Sequence, residues 1–161
     1  MNKTLIVFYS LEGFTQKIAQ EIAKQTNGDL LQLFPQQDPL STHNKWMKYF
    51  RWGKQVIMKE TPPLKPYICN IDAYETIYIG TPVRAFTYTP AIRSFLQQTK
   101  IHNKKIVLFC THEWWPGTTL QKLKEALKDN TILATKDFNK RLWTHDPKFL
   151  QEEIQTLITS R

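Results

Sequence analysis

Short runs of apolar residues alternate with amphipathic stretches along this chain. The first run reads Leu-Ile-Val-Phe-Tyr and the fourth reads Ile-Val-Leu-Phe-Cys, so both are apolar at odd and even positions. Strands that are buried on both faces of a parallel sheet require this pattern. Right-handed crossovers between such strands place helices on both faces of an open sheet of about five strands. The runs cover Thr4 to Tyr9, Leu30 to Phe34, Thr76 to Gly80, Lys105 to Cys110 and Ile132 to Ala134.

Apolar residues between the runs recur at helical spacing. Ile18 and Ile22 share one face of a helix that begins near Thr15, and Asn27-Gly28 is a typical stop signal for it. The pattern therefore predicts an alternating α/β protein. Further helices are predicted around residues 95–96, 120–127 and 150–158, and from Ser41 to Lys59 with an interruption at Gly53.

Length and composition limit the possible classes of protein. The 161 residues fit one domain, which we expect to span residues 1–161. Hydrophobic residues make up 41% of the chain and charged residues 22%, as in globular rather than disordered proteins. No segment approaches the ~20 apolar residues of a membrane span, and the N-terminal residues lack the features of a secretory signal. We therefore expect a cytoplasmic protein without membrane insertion.

The cysteines and histidines show neither redox nor metal-ligand spacing. Cys69 and Cys110 form no CxxC pair and are too few for a disulfide framework, so we expect both to be reduced and structural. The four histidines are scattered along the chain, and no metal site is predicted.

The formal net charge of +8 favours an acidic partner or a nucleic acid, because a positive field attracts anions. The 22 basic residues are nevertheless spread over the chain without a run of five or six like charges. Such a distribution is more typical of a solvated surface than of a binding tail. We therefore expect no nucleic-acid role.

Ligands of open parallel sheets bind beyond the carboxyl ends of the strands, near the point where the strand order reverses. Three loops of this chain take that position. They cover Ser10 to Thr15, Thr81 to Pro90 and Thr111 to Gly117.

The first of these loops suits a phosphate. The amides that open the following helix have no partner within it and lie at its positive end. Ser10 and Thr15 add hydroxyl donors, and Gly13 permits a positive φ or a close backbone approach. The loop lacks the Walker A lysine and the three glycines of the dinucleotide fingerprint, so a monophosphate fits best. A plain helix cap by Ser10 or Thr15 is the alternative. Backbone amides alone are expected to contribute from Leu11, Glu12 and Phe14, with the Glu12 carboxylate pointing away from the dianion.

The segment from Ile6 to Ile22 resembles the N-terminal signature of flavodoxins. The resemblance continues in the same order at Tyr78 to Val83, Ile92 to Leu96 and Lys104 to Thr111, and so covers most of the chain. It implies a flavodoxin-like α/β fold, which is a three-layer sandwich with a five-stranded parallel sheet in the order 2-1-3-4-5 and helices on both faces. It also implies bound FMN, with the phosphate in the Ser10 to Thr15 loop.

By this resemblance the other two loops hold the flavin ring. In relatives a tryptophan often follows Thr-Pro-Val, whereas this chain has Arg84 there. Phe86, Tyr88 or Trp114 could form the ring wall instead, and Arg84 could face the pyrimidine oxygens or lie across the ring. The expected cofactor-binding residues of these loops are Thr81, Pro82, Val83, Arg84, Ala85, Phe86, Thr111, His112, Glu113 and Trp114.

The leading hypothesis is a small FMN-dependent electron carrier that shuttles electrons between a reductase and acceptor proteins, with no catalytic residue of its own. One alternative is an NAD(P)H-dependent FMN oxidoreductase acting on quinones or similar acceptors, although no second nucleotide signature is visible. Another is a binding protein of the same fold with weakened flavin affinity, because Arg84, Phe86 and the bulky third loop depart from the family pattern. Related flavodoxins are commonly acidic, so the basic charge implies a different partner surface or a locally acidic patch around the flavin.

Overall fold

A parallel sheet lies at the centre of the protein, whose computed structural model describes residues 3–38 and 58–160. The strands are β1 (Thr4–Phe8), β2 (Asp29–Gln32), β3 (Thr76–Pro82), β4 (Lys105–His112) and β5 (Thr131–Asn139). All the pairings between them are parallel, and the strand order is β2-β1-β3-β4-β5. The predicted fold class and strand order are therefore confirmed.

Helices cover both faces of the sheet. In the described residues they are α1 (Phe14–Thr26), α2 (Pro90–Gln98), α3 (Thr119–Ala126), α4 (Lys140–Trp143) and α5 (Pro147–Thr159), with a 3-10 turn at Ile71–Ala73. Ile18 of α1 and Ile154 of α5 share one buried cluster with Phe109 of β4. Phe95 of α2 and Leu123 of α3 belong to a second cluster on the opposite face of the sheet. Because both faces are covered, β1 and β3 are buried along their whole length.

Local sequence signals define the ends of the helices. Asn27 closes α1 in a left-handed conformation with φ 51°, and its amide donates to the carbonyl of Ala23. The predicted stop at Asn27-Gly28 is therefore confirmed. At α5, the carboxylate of Asp146 accepts hydrogen bonds from two first-turn amides, and Pro147 takes the first helical position.

The fifth strand is longer than the apolar run that predicted it. The run covers residues 132–134, whereas β5 extends from Thr131 to Asn139. As the edge strand beside β4, it leaves most of its side chains partly exposed and so tolerates polar residues such as Lys136. A buried-strand pattern cannot reveal such a half-exposed strand.

The pairing of β5 with β4 contains a one-residue irregularity. Ile106 lies opposite Ile132, but the next residue, Val107, lies opposite Ala134. Leu133 is therefore skipped, and the register beyond it is shifted by one residue.

Several further predictions concern smaller features. The helix predicted from Ser41 to Lys59 lies almost wholly outside the described residues. Within the described part, no helix combines the length and the apolar character needed to cross a bilayer. Cys69 and Cys110 are free, as predicted. Burial raises the pKa of both thiols, and the charge of nearby Asp137 adds to the rise at Cys110, so neither is an activated nucleophile.

Candidate functional site

A cleft opens where the three predicted loops meet, at the carboxyl ends of β1, β3 and β4. Its volume is about 320 Å³, at the lower end of the range of small-molecule sites, which is roughly 300–1,000 Å³. Every predicted site residue except Gly13 and Thr81 lines it, together with two additional residues, Trp115 and Lys140. The lining consists of Ser10, Leu11, Glu12, Phe14, Thr15, Pro82, Val83, Arg84, Ala85, Phe86, Thr111, His112, Glu113, Trp114, Trp115 and Lys140.

The two predicted residues outside the lining have structural positions. Gly13 precedes α1 with φ 91°, a conformation that side chains rarely adopt, and so allows the tight turn from strand to helix. Thr81 is fully buried. Its hydroxyl donates to the Pro82 carbonyl, accepts a hydrogen bond from the Thr89 amide and also lies within hydrogen-bond distance of the Thr89 hydroxyl. The Thr81 side chain therefore fastens the second loop from inside.

The first loop combines a helix cap with free donors. The Ser10 Oγ accepts hydrogen bonds from the Gly13 amide at 3.1 Å and the Gln16 amide at 3.2 Å. Ser10 thus caps the loop, as the alternative interpretation expected, but its hydroxyl proton remains available to a ligand. The amides of Phe14 and Thr15 open α1 and have no partner within the helix. The cap and an anion site are therefore compatible.

A second pair of hydroxyls lies behind this loop. Thr15 is buried, and its Oγ1 lies 2.8 Å from Oγ1 of Thr111 at the end of β4. Since one hydroxyl donates to the other, one proton of the pair is free to donate elsewhere. The pair also joins the first loop to the third.

The second loop contains two residues in a conformation that is unusual for their side chains. Ala85 and Phe86 have φ values of 48° and 64°, and they form the tip of a turn closed by paired backbone hydrogen bonds between Arg84 and Thr87. Turns with two positive φ angles normally contain glycine or asparagine. Non-glycine residues in such regions cost of order 1–3 kcal/mol each and are concentrated at ligand sites.

Aromatic side chains from the second and third loops form the rim of the cleft. Trp114 is 73% exposed, and Trp115 and Phe86 are each 59% exposed. The rings of Phe86 and Trp115 lie 5.5 Å apart, and the guanidinium of Arg141 lies 4.0 Å from the centre of the Trp114 ring. We name these three exposed rings, of Phe86, Trp114 and Trp115, the aromatic rim.

The second and third loops are packed directly against each other. The amide of Thr118 donates to the Phe86 carbonyl at 3.1 Å. Gly117 has φ 60°, and a Cβ at this position would lie 2.7 Å from that same carbonyl oxygen. Only glycine allows this close approach of the two backbones.

His112 has an orienting partner that the sequence did not reveal. Its Nε2 lies 2.8 Å from Oδ2 of Asp137 on β5, and its side chain is almost completely buried. The imidazole Nδ1 has no hydrogen-bond partner within the described part of the chain. The sequence did not predict this contact because it does not reveal how β5 pairs with β4, including the shift at Leu133.

The carboxylate of Glu12 forms ion pairs with two cationic side chains. Its carboxylate oxygens lie 3.4 Å from Nη2 of Arg84 and 3.2 Å from Nζ of Lys140. Lys140 also lies 3.4 Å from Glu113. The lining thus holds two carboxylates and two permanent cations, so the expectation of a locally acidic patch does not describe these side chains.

Comparison with known proteins gives the family. The family model described as flavodoxin matches residues 3–152. The chain belongs to the flavodoxin family. Flavodoxins are FMN-binding proteins, so the predicted family and cofactor are confirmed at this level. No curated protein matches the chain.

Solved structures share the fold of this flavodoxin family member. A candidate flavoprotein from Bacteroides eggerthii DSM 20697 is 22% identical with a TM-score of 0.74, and the match covers 93% of this chain and 98% of that one. A flavoprotein in complex with FMN from Lactobacillus acidophilus NCFM is 19% identical, with coverages of 90% and 98% and a TM-score of 0.67. A flavodoxin, WrbA-like protein from Agrobacterium tumefaciens is 14% identical over 100% of both chains, with a TM-score of 0.63.

The chemistry of the cleft fits both parts of the flavodoxin cofactor. Hydroxyl protons and first-turn amides of the first loop suit a phosphate dianion, as do the two cations, Arg84 and Lys140, that contact Glu12 of this loop. Apolar and aromatic side chains of the second and third loops suit a planar ring system. Both requirements are met within one cleft.

Proposed function

We propose that this single-domain chain is a cytoplasmic FMN-dependent electron carrier that passes electrons from a reductase to acceptor proteins. The observation that carries the proposal is the cleft itself, which joins an anion-binding loop to an exposed aromatic rim. Bound FMN would supply one- and two-electron transfer, and the chain would bind and orient it.

The phosphate would be held at the first loop. Thr15, the Ser10 hydroxyl and the amides that open α1 converge there, and the positive end of a 13-residue helix lies behind them. Leu11, Glu12, Gly13 and Phe14 would contribute backbone. This end of the cleft would provide affinity for the charged group of the cofactor.

The ring would be held between the second and third loops. Residues 82–86 form one side of the cleft and residues 111–115 the other. The turn at Ala85 and Phe86 and the glycine at residue 117 fix these two backbones against each other. A preformed slot lowers the ordering cost of binding. Thr81 would support the slot from within.

The open rim favours electron transfer to another protein over chemistry on an enclosed substrate. The three rings of the aromatic rim are more than half exposed, so the cleft is accessible from the protein surface. A partner's redox centre could therefore approach it. The net charge of +8 favours an acidic partner, and the rate of electron transfer from such a reductase should fall as salt is raised.

An NAD(P)H-dependent FMN oxidoreductase is the second candidate. The full-length fold similarity to the WrbA-like protein and the open cleft support it, since a nicotinamide needs access to the bound flavin. It requires direct hydride transfer from the nucleotide, whereas the carrier requires a reductase.

A redox titration distinguishes these functions. The purified protein is mixed with FMN and reduced stepwise with dithionite while absorbance spectra are recorded, with free FMN in the same buffer as the control. Parallel samples receive NADPH instead. Two separated one-electron steps without NADPH oxidation support the carrier. Rapid NADPH consumption supports the oxidoreductase, and failure to bind FMN contradicts both in favour of a binding protein with weakened flavin affinity.

A further inference from the structure

Lys140 reaches the cleft from outside the three loops. It follows directly on β5, whose last residue, Asn139, lies opposite His112 in the sheet register. Its side chain is only 20% exposed, and its Nζ lies 3.2 Å from Glu12 and 3.4 Å from Glu113. A lysine at the start of α4, directly after the fifth strand, thus connects the first loop to the third.

Arg84 contacts the same carboxylate from the second loop. Its Nη2 lies 3.4 Å from Oε1 of Glu12, while Lys140 contacts Oε2. Both oxygens of Glu12 therefore have a cationic partner. We name the four residues Arg84, Glu12, Lys140 and Glu113 the charge bridge.

The ion pairs of the charge bridge are loose. Their N–O distances of 3.2–3.4 Å exceed the roughly 2.7–2.9 Å of a good charge-assisted hydrogen bond. Glu12 is also 49% exposed, so water can replace each contact at little cost. Such pairs can exchange partners when a stronger acceptor arrives.

A phosphate bound at the first loop would be that acceptor. Glu12 lines the same cleft as Ser10 and Thr15, so its carboxylate and a dianion bound there would lie close together. The two anions would repel each other and would compete for the same two cations. The dianion carries the larger charge and more acceptor oxygens.

We propose that Lys140 and Arg84 exchange Glu12 for the phosphate when FMN binds, and that Glu12 acts as a competing anion. Lys140 then makes the cleft prefer FMN over riboflavin, which lacks the phosphate, and Glu12 limits that preference. The inference rests on the proposed function only in the identity of the phosphorylated ligand.

Calorimetric titrations with FMN, riboflavin and inorganic phosphate test the exchange. Lys140→Gln should weaken FMN binding about tenfold, since a charge-assisted contact is lost, and should change riboflavin binding less than about twofold. Glu12→Gln should tighten FMN binding about threefold and leave riboflavin unchanged. Lys140→Arg should restore most of the preference.

The matched control is Lys24→Gln. Lys24 lies in the last turn of α1, about 15 Å along the helix axis from Phe14 at the cleft, yet its loss changes the net charge by the same amount. It should leave the ratio of FMN to riboflavin affinities unchanged. Thermal unfolding of each variant shows whether the fold is retained.

Different outcomes separate the two proposals. If Lys140→Gln weakens FMN and riboflavin equally, or if Glu12→Gln weakens FMN, the charge bridge only fastens the loops and the exchange is wrong. If the unaltered protein binds neither flavin, the proposed function fails. The phosphate titrations then decide the exchange, because inorganic phosphate should still bind more weakly to Lys140→Gln and more tightly to Glu12→Gln.

Discussion

The two ends of the sheet differ in how their polar groups are hydrogen-bonded. We name the end at which the parallel strands begin the amino edge and the end at which they finish the carboxyl edge. At the amino edge, Nζ of Lys104 donates to the Tyr74 carbonyl at 2.7 Å, and Nζ of Lys105 lies 2.5 Å from Glu75. Asn130 bonds three backbone groups with its amide side chain. These polar side chains at the amino edge therefore bond other groups within the protein.

The carboxyl edge leaves groups without partners. Four buried side-chain atoms lack a hydrogen-bond partner in the described parts of the chain. One belongs to the last residue of β4, and the other three lie on the segments that follow β3, β4 and β5. The two strained residues of the second loop and the aromatic rim lie there as well. These atoms belong to Thr87, His112, Thr119 and Trp143.

This difference separates stability from binding within one small fold. Buried polar groups without partners cost free energy, so their concentration at one edge favours a ligand or ordered water that completes them. Changes at the amino edge should therefore alter the free energy of unfolding, and changes at the carboxyl edge should alter flavin affinity.

Asn130→Ala should produce the largest effect. The substitution removes hydrogen bonds to the Lys104 amide and to the carbonyls of Ile101 and Leu127, and should lower the free energy of unfolding by about 3 kcal/mol. Urea denaturation measures the loss. Asn70→Ala, which removes one exposed bond at the 3-10 turn, is the control and should cost about 1 kcal/mol or less. A loss of FMN affinity in Asn130→Ala would break the distinction between the edges.

Gly117→Ala should act on binding instead. The new methyl group would meet the Phe86 carbonyl at 2.7 Å in a backbone with positive φ, and should separate the second and third loops. We expect FMN affinity to fall by about 2 kcal/mol, as measured by fluorescence titration of the flavin. Gly28→Ala crowds Ile6 and the Thr4 carbonyl near the amino edge, and so should reduce stability without altering affinity. If Gly117→Ala reduced only stability and Gly28→Ala reduced FMN affinity, the distinction between the two edges would be contradicted.

Thr15→Ala should have a smaller effect on the same affinity. It removes a hydroxyl that is hydrogen-bonded to Thr111 beside the first loop, and should weaken FMN binding by about 1 kcal/mol or more. Thr26→Ala, at the other end of α1, removes a hydroxyl that bonds only a helix carbonyl, and should leave binding unchanged. Equal affinities for the two variants would remove Thr15 from the phosphate site.

The smallest effect concerns alkaline pH. A hydrogen bond to Asp29, together with some burial, raises the pKa of Tyr74 at the amino edge to about 12. The contact thus favours the protonated phenol, so its small contribution to stability is present below about pH 10 and is lost between about pH 10 and 12. Absorbance titration of tyrosinate, compared with Tyr74→Phe, identifies the group. Asp29→Asn should lower this pKa; an unchanged titration would show that the contact is not formed.

The sequence predicted the parts of this structure that depend on local chemistry. Strands buried on both faces show apolar residues at both parities, and the turn before α1 shows its glycine and hydroxyls directly. The loops at one edge of a parallel sheet must then meet, so the general location of the cleft followed from topology.

Contacts made by the fifth strand and by the residue that follows it could not be predicted in this way. Lys140 lies 128 residues from Glu12 in the chain, and its presence in the cleft depends on the length and register of β5. The same register brings Asp137 to His112. The sequence of an edge strand with mixed polarity predicts neither of these two contacts, because many registers satisfy the same pattern.

The skipped residue in β5 decides the sign of the charge beside an imidazole. Had the pairing continued regularly through Leu133, Lys136 would lie opposite Cys110, and Asp137 would point to the other face of the sheet. An ammonium would then replace the carboxylate next to His112. Insertions or deletions between Leu133 and Asp137 should therefore be selected against far more strongly than substitutions of the same side chains. A shift of one residue moves each side chain to the other face of the sheet and so exchanges one electrostatic environment for its opposite.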